Sequence, residues 1–204
     1  MAGKDIIVFD IETKKEFAEI GGRDHPERLG ISVLGAYSYN HDKYFVFEEH
    51  ELKAFETMLE TAGLLIGFNI KAFDLPVLQP YVSLDLKRIL ALDMMDAVVQ
   101  GVGFRVGLDN LARTTVNVAK SADGLQALAW FREGRIQEVK DYCLKDVEVT
   151  RKLYEHGEQN GNIRFVPRGS FEPKTVAVDW ARFIPREWLP PVGASSDARQ
   201  FRLI

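Results

Sequence analysis

The feature that most constrains the fold is an apolar run near the start of the chain, residues 5–12 (DIIVFDIE), which ends in two carboxylates. A strand with apolar side chains on both faces is typical of the centre of a sheet that helices cover on both sides. Residues two apart in a strand point to the same side, so Asp10 and Glu12 project together. Both could simply stand in solvent beyond the strand. The apolar residues before them favour a bound metal or another partner instead, because like charges near a buried strand end are costly without compensation.

The segments that follow predict further strands and helices. Residues 31–39 and 44–48 alternate and are rich in β-branched or aromatic side chains, which predicts a hairpin with a short polar turn. Residues 50–62 carry apolar side chains at helical spacing, and Gly63 behind them predicts the end of that helix. A short buried strand is then predicted at residues 64–68.

The second half of the chain is mostly helical by its apolar periodicity. A short helix is predicted over residues 72–81, with Asp74 near its start and Pro76 in its first turn, because proline has no amide hydrogen to donate. Residues 90–99 fit a strand or a helix. The remaining predictions are a helix from residue 108, helices over residues 123–132 and 136–158 with the second ending at Gly157 or Gly161, and a hairpin of residues 162–166 and 175–180.

These elements predict one α/β domain over residues 1–160. Residues 161–204 are predicted to form a C-terminal hairpin and a tail, either as part of the same domain or peripheral to it. A length of 204 residues allows one domain with a small appendage, since domains commonly have about 100 to 200 residues.

Composition excludes several classes of protein. Hydrophobic residues make up 46% and charged residues 27%, as in a globular protein rather than a disordered one. No apolar run reaches the length of a membrane span and the start does not resemble a signal peptide, so we expect a cytoplasmic protein with no membrane partner. The single cysteine, Cys143, excludes an internal disulfide framework and a thiolate zinc site. The net charge of −4 argues against a protein that coats nucleic acid through bulk positive charge.

Two further groups of polar residues stand at defined places in the predicted elements. Residues 67–78 (GFNIKAFDLPVL) place Asn69 in a loop after a strand and Asp74 at the start of a helix, where both side chains commonly serve as turn and cap residues. In the long helix, the spacing of four puts Tyr142 and Asp146 on one face. Taken alone, this pair would more often be a core tyrosine beside a surface acid.

The combination of the three groups, in this order, resembles the DEDD superfamily of 3′–5′ exonucleases, in its tyrosine-bearing subgroup. The sequences FDIET at residues 9–13, GFNI at 67–70 with FDLP at 73–76, and YCLKD at 142–146 are similar to the proofreading exonuclease of family B DNA polymerases. Residues 107–134 are also similar to exonuclease domains attached to bacterial helicases. We therefore expect a free-standing nuclease or a subunit that acts with a helicase or polymerase.

The resemblance implies an α/β ribonuclease H-like fold, with a mixed five-stranded sheet flanked by helices, and two divalent metal ions. Asp10, Glu12 and Asp146 would bind one ion. Asp10 would bridge to the second, whose shell Asp74 would complete. Ligands that are all oxygen favour Mg²⁺ or Mn²⁺ over zinc. A pair of ions about 3.5 to 4 Å apart can activate water and neutralise both the attacking and the leaving oxygen of a phosphodiester.

The resemblance also implies a catalytic role for Tyr142. A phenol with a pKa near 10 is a poor base at neutral pH, so we assign its hydroxyl to orienting the attacking water. The related subgroup has a histidine five positions before the last aspartate. That position is Asp141 here, which excludes the histidine variant.

For the substrate, the resemblance points to Glu12 and the backbone at Thr13 meeting the terminal 3′-hydroxyl, with Asn69 and Phe73 beside the end nucleotides. Phe73 is alternatively a core residue, which we favour. Six basic residues near the motifs are candidates for neutralising phosphates, although any solvated face carries such residues: Lys14, Lys15, Arg105, Arg113, Lys120 and Lys145. Asp93 and Asp96 could supplement the acidic centre, but they match no required ligand, and a capping role is the better interpretation.

The predicted function is metal-dependent hydrolysis at the 3′ end of single-stranded DNA, or of a frayed 3′ end, releasing nucleoside 5′-monophosphates, as in proofreading or DNA repair. Two alternatives stay open. One is a 3′–5′ exoribonuclease, because the same carboxylates serve RNA. The other is a catalytically silent, single-strand-binding subunit of a helicase or polymerase assembly, against which the intact carboxylate set argues. An endonuclease acting on RNA–DNA hybrids is disfavoured by Tyr142 with Asp146.

Overall fold

A five-stranded mixed sheet organises the protein, in a computed structural model that describes residues 4–118 and 124–183. The strand order is β3-β2-β1-β4-β5, with β1 antiparallel to β2 and parallel to β4, and β5 parallel to β4. The predicted mixed five-stranded sheet is therefore confirmed. The strands are β1 (Asp5–Thr13), β2 (Ile31–Ser38), β3 (Lys43–Glu48), β4 (Ala62–Gly67) and β5 (Leu90–Asp93).

Helices flank this sheet on both faces, and a second, two-stranded sheet follows them. The helices are α1 (Leu52–Leu59), α2 (Asp74–Leu78), α3 (Met94–Val102), α4 (Leu108–Val116), α5 (Gly124–Arg132) and α6 (Ile136–Asn160). The antiparallel hairpin consists of β6 (Asn162–Phe165) and β7 (Lys174–Ala177). Among the helices in the described ranges, none is both long and apolar enough to span a membrane.

The alternation of side chains along β1 decides which face carries the carboxylates. Ile7 and Phe9 point into the core formed with α1 and α2, whereas Ile6 and Val8 point into the core formed with α6. Asp10 follows Val8 at the same two-residue period. The side chains of Asp10 and Glu12 therefore lie on the face of the sheet that α6 covers.

Two element boundaries differ from the sequence predictions. Gly63 does not end a helix, because α1 stops at Leu59 and Gly63 lies buried within β4. Pairing of β4 with β1 accounts for the difference, since a parallel ladder from Asp5 opposite Ala62 recruits these residues into the sheet. Residues 90–99, for which the sequence fitted a strand or a helix, form first the strand β5 and then the start of the helix α3.

The other predicted helix features are confirmed. Pro76 lies in the first turn of α2, and a short 3₁₀ stretch continues that helix over residues 79–81. Helix α6 ends before Gly161, which has a φ of 65° and so adopts the left-handed conformation that favours glycine at a helix end.

The C-terminal hairpin packs into the α6 side of the core. Ile163, Val176 and Trp180 belong to the same buried cluster as Val8 of β1. The Trp180 indole N–H donates to the carbonyl oxygen of Tyr154 at 3.1 Å. The predicted tail, within residues 184–204, lies outside the described residues. Residue 123, the first residue of the helix predicted over residues 123–132, also lies outside them, as does Lys120.

Candidate active site

The carboxyl end of β1 extends beyond its neighbour β4. The last β1 residue paired with β4 is Val8, opposite Ile66, whereas pairing with β2 continues on the other side. The backbone N–H of Ile11 therefore has no β4 partner, and it donates to Oδ1 of Asp74 at 3.0 Å. This bond attaches Asp74 to β1 between the positions of Asp10 and Glu12.

The loop between β4 and α2 brings Asp74 to this place. A Cβ atom at Gly67 would lie 2.1 Å from Cγ2 of Ile70 and 3.0 Å from the carbonyl oxygen of Phe9, so a side chain there would clash. Asn69 follows in a left-handed conformation with a φ of 69°. Gly67 and Asn69 thus turn the chain tightly beside β1, and the Asp74 side chain becomes almost fully buried, with 2% exposure.

Helix α6 supplies the tyrosine and the last aspartate. Tyr142 and Asp146 are both buried, one helical turn apart, and the Tyr142 hydroxyl donates a hydrogen bond to the Asp146 carboxylate. The ring of Trp130 from α5 packs edge-on against Tyr142, with 6.3 Å between the ring centroids. Trp130 was not identified from the sequence, because no periodicity relates α5 to α6.

Gly35 lets α6 lie close to the sheet at the carboxylates. It stands opposite Asp10 in β2, and a Cβ atom there would lie 3.0 Å from Sγ of Cys143 and 3.1 Å from Cγ2 of Val147. Sequence reasoning missed this residue. The one signal it offered was a glycine inside a predicted strand, which often marks a close approach of another part of the chain.

The substitution Gly35→Ala tests this close packing of α6 on the sheet. We expect it to lower the free energy of unfolding by about 1 to 3 kcal/mol, because the added methyl group overpacks against α6. Gly124→Ala is the matched control, because a Cβ atom at that position meets nothing within 4 Å. Denaturant unfolding of both variants measures the difference. An unchanged unfolding midpoint for Gly35→Ala would show that α6 can move away without cost.

The electrostatics of the site link β1 and α6. Burial raises the pKa of Tyr142 far above its ordinary value, and the charges of Asp146, Glu12 and Asp10 raise it further. Those three carboxylates therefore lie near enough to act on one phenol. The Tyr142 hydroxyl stays protonated at neutral pH.

The donor atoms fit a hard divalent cation. Ligand atoms of Asp10, Glu12 and Cys143 all lie within 4.8 Å of one another. Burial, followed by the charges of Asp10, Glu12 and Asp146, raises the pKa of the Cys143 thiol, which is fully buried and donates to the carbonyl oxygen of Asp10 at 3.4 Å. A protonated thiol is a poor ligand, so oxygen atoms are left as donors, and these suit Mg²⁺ or Mn²⁺.

The three residues predicted to meet the substrate lie at the edge of this group. Thr13 is half-buried, and its hydroxyl donates to the carbonyl oxygen of Lys15 at 2.8 Å. Asn69 lies in the loop after β4. The half-buried Phe73 packs edge-on against Phe17, with ring centroids 5.9 Å apart, as expected for a residue at the margin of the core.

Asp93 is not among the carboxylates whose charges act on Tyr142, and it braces the loop between β4 and α2. Its carboxylate accepts hydrogen bonds from the backbone N–H groups of Asn69 at 2.8 Å, Lys71 at 3.0 Å and Met95 at 3.0 Å. The bond to Met95 caps α3, so the predicted capping role is confirmed. Burial raises the pKa of Asp93, which fits a carboxyl enclosed between the loop and α3.

A family model described as 3′–5′ exonuclease matches residues 28–158, more than half of the chain. The chain belongs to this family of 3′–5′ exonucleases. The matched part of this exonuclease domain contains Asp74, Tyr142 and Asp146, whereas Asp10 and Glu12 lie before it.

Solved structures show the same fold for this exonuclease domain. The family B DNA polymerase from the hyperthermophilic archaeon Pyrobaculum calidifontis superposes with a TM-score of 0.58 at 19% identity, covering 76% of this chain and 24% of the polymerase. RNase D from Trypanosoma brucei superposes with a TM-score of 0.54 at 17% identity, covering 76% of this chain and 57% of that protein. The chain thus spans about a quarter of the polymerase and little more than half of the RNase D. A comparison with curated protein sequences gives no match. The predicted ribonuclease H-like fold is confirmed.

Proposed function

We propose that this exonuclease domain is a tyrosine-subgroup DEDD enzyme that removes nucleoside 5′-monophosphates from the 3′ end of single-stranded DNA. The observation that carries the proposal is the convergence of β1, α2 and α6 on one end of the central strand. Asp10, Glu12, Asp74 and Asp146 come from these three segments. The protonated Tyr142 lies near enough to Asp10, Glu12 and Asp146 for their charges to raise its pKa. A protein that only bound single strands would gain nothing from concentrating like charges there, since they repel a polyanion.

The carboxylates would hold two divalent cations, Mg²⁺ or Mn²⁺. Asp10, Glu12 and Asp146 are assigned to one cation, and Asp10 with Asp74 to the other. Such cations, when bound, neutralise the charge of the phosphodiester and lower the pKa of the attacking water. The protein's own contribution is to fix the carboxylates, and the 3.0 Å bond from Ile11 N–H does this for Asp74.

Tyr142 has a hydroxyl that can orient the attacking water without accepting its proton. The hydroxyl hydrogen is donated to Asp146, so the phenol oxygen keeps lone pairs that can accept a hydrogen bond from a water molecule. The raised pKa means that Tyr142 is no phenolate at neutral pH. Attack at phosphorus then breaks the bond to the 3′-oxygen of the preceding nucleotide, and the end nucleotide leaves with its 5′-phosphate.

Glu12, Thr13, Asn69 and Phe73 are proposed to surround the terminal nucleotide, with Glu12 and the backbone at Thr13 meeting the 3′-hydroxyl. The hairpin β6–β7 is proposed to belong to the same domain as residues 1–160, because its side chains share a core with β1. An exoribonuclease is the second candidate. Since an RNase D is among the similar solved structures, RNA is tested beside DNA.

The experiment that tests the proposal follows a 5′-labelled single strand through the reaction. We expect stepwise shortening from the 3′ end with Mg²⁺ or Mn²⁺ and no product with EDTA. A fully paired blunt duplex should react much more slowly, because the last bases must leave the stack before the terminal phosphodiester can reach a recessed site, which costs about a few kcal/mol. Denaturing gels of DNA and RNA strands measure both rates.

Three controls separate this proposal from its alternatives. A strand with a blocked 3′-hydroxyl should react slowly, because Glu12 would lose the group that it meets. Cuts in a circular single strand, or release of the label as a mononucleotide in the first turnover, would contradict 3′–5′ exonuclease action. Tight single-strand binding with no cleavage under any metal would instead identify a silent binding subunit, and faster shortening of RNA would identify an exoribonuclease.

A further inference from the structure

Arg105 lies at the edge of the candidate active site, in the connection between α3 and α4. Its side chain is exposed, and one guanidinium NH₂ group donates to Oδ1 of Asn69 at 2.6 Å. Asn69 belongs to the loop that joins β4 to α2. This loop starts at Gly67, packed against the carbonyl of Phe9, and ends at Asp74, bonded to Ile11 N–H. The two ends of the loop thus contact β1 at Phe9 and Ile11, the residues on either side of Asp10. The loop that carries Asn69 therefore borders the acidic group.

The charge of Arg105 is not compensated by its hydrogen-bond partner. Several other basic side chains of the described residues form ion pairs with carboxylates, whereas Arg105 is held by a neutral amide. A guanidinium has five N–H donors, and the bond to Asn69 uses one of them. The others can bind a phosphate, including in a bidentate manner. The ion pairs in question are Lys14 with Glu49, Lys71 with Asp96, Arg113 with Asp109, and Lys145 with Glu148.

The amide that holds Arg105 is itself fixed in position. The Asp93 carboxylate, which is 1% exposed, accepts from the backbone N–H groups of both Asn69 and Lys71. Asn69 also has the left-handed φ of 69°, so its side chain is directed by a defined backbone turn. A cation anchored to such a loop loses less conformational entropy when it binds a ligand than a freely rotating side chain would.

We propose that Arg105 is a phosphate-binding residue for the nucleic-acid strand that enters the acidic site. Carboxylates repel a polyanion, and a guanidinium that has no carboxylate partner among the described residues, held on the loop that leads to Asp74, would offset that repulsion for the phosphates next to the terminal nucleotide. The inference rests on the proposed function of the same site, and it adds a residue that would bind the phosphate backbone of the nucleic acid.

The test compares the salt dependence of binding for the unaltered protein, Arg105→Gln and Arg113→Gln. Each binds a 5′-fluorescent single-stranded DNA with a free 3′-hydroxyl, with Ca²⁺ in place of Mg²⁺ and gels to check that the strand stays intact. Loss of one phosphate contact should reduce the slope of log K against log salt by about 0.7 for a single strand. We expect this for Arg105→Gln alone, because Arg113 is exposed but already neutralised by Asp109. Arg105→Lys should restore the slope, since it restores the charge.

The result that would overturn the inference is an equal slope for Arg105→Gln and the unaltered protein, or the absence of single-strand binding by the unaltered protein. In the first case, 3′-end shortening by the unaltered protein would still support the proposed function. A reduced slope in a protein that shortens no strand would support Arg105 and overturn the exonuclease proposal. In steady-state assays, Arg105→Gln should raise KM more than it lowers kcat, which a merely structural role of the exposed side chain would not produce.

Discussion

Asp10→Ala and Asp146→Ala should each abolish 3′-end cleavage and leave the protein folded. Each change removes a proposed cation ligand, and losing several kcal/mol of charge stabilisation in the transition state corresponds to a rate loss of about 1000-fold or more. Stability should hold or rise, because each change also relieves repulsion within the group of carboxylates. Single-turnover rates with Mg²⁺ and thermal melting in EDTA measure the two effects separately.

Asp141→Ala is the matched control for these variants. It removes an aspartate from the same helix, but Asp141 is exposed and accepts a hydrogen bond from the Gln137 side chain at 2.8 Å. Cleavage should continue at the normal rate. If Asp10→Ala or Asp146→Ala unfolds the protein while the folded fraction keeps its specific activity, these residues are structural and the assignment is wrong.

Tyr142→Phe should lower the rate by about 10- to 1000-fold and leave measurable activity, the range expected when a hydrogen bond orients a reactant. The carboxylates and the packing of Trp130 remain. Because burial and the neighbouring carboxylates raise the pKa of Tyr142, the hydroxyl stays protonated across neutral pH. Removing the hydroxyl should therefore lower the rate by the same factor at every pH and leave the shape of the pH–rate profile unchanged.

Tyr154→Phe provides the comparison for Tyr142→Phe. Tyr154 is a buried tyrosine of the same helix whose ring packs against Tyr39 and Trp180. Burial raises its pKa as well, but the neighbouring charges are those of Glu158 and Glu155 and not those of the proposed cation ligands. Tyr154→Phe should leave the rate unchanged. A loss for Tyr142→Phe as complete as that for Asp10→Ala would contradict the division between cation ligands and a water-orienting hydroxyl.

The sequence predicted the central strand, the two hairpins and α6 because each depends on a local pattern. The β1 run needs only its apolar period to place Asp10 and Glu12 on one side. The pairing of Tyr142 with Asp146 needs only the helical repeat. These patterns depend on the residues of one short segment and not on contacts with distant parts of the chain.

Other features depend on contacts between distant segments and so were not predictable. Gly63 carries a helix-ending signal, yet strand pairing with β1 overrides it. Gly35 is an ordinary strand residue until α6 packs against it. Asp93 is recognisable as a cap, but its bonds to Asn69 and Lys71 exist only because β4 and β5 end side by side. The roles of the site residues stay predictions that the variants above test.

The Asp74 carboxylate, a proposed cation ligand, also accepts the hydrogen bond from Ile11 N–H. Where β4 ends, Oδ1 of Asp74 takes the place that a neighbouring strand's carbonyl would occupy, so the hydrogen-bond ladder of the central strand is completed by a side chain. Any event that draws Asp74 away from β1 leaves a buried amide without its acceptor, at a cost of about 1 to 3 kcal/mol. In the proposed site, Asp74 would therefore couple the hydrogen bonding of the central strand to cation binding, and we expect a substitution at Asp74 to alter both.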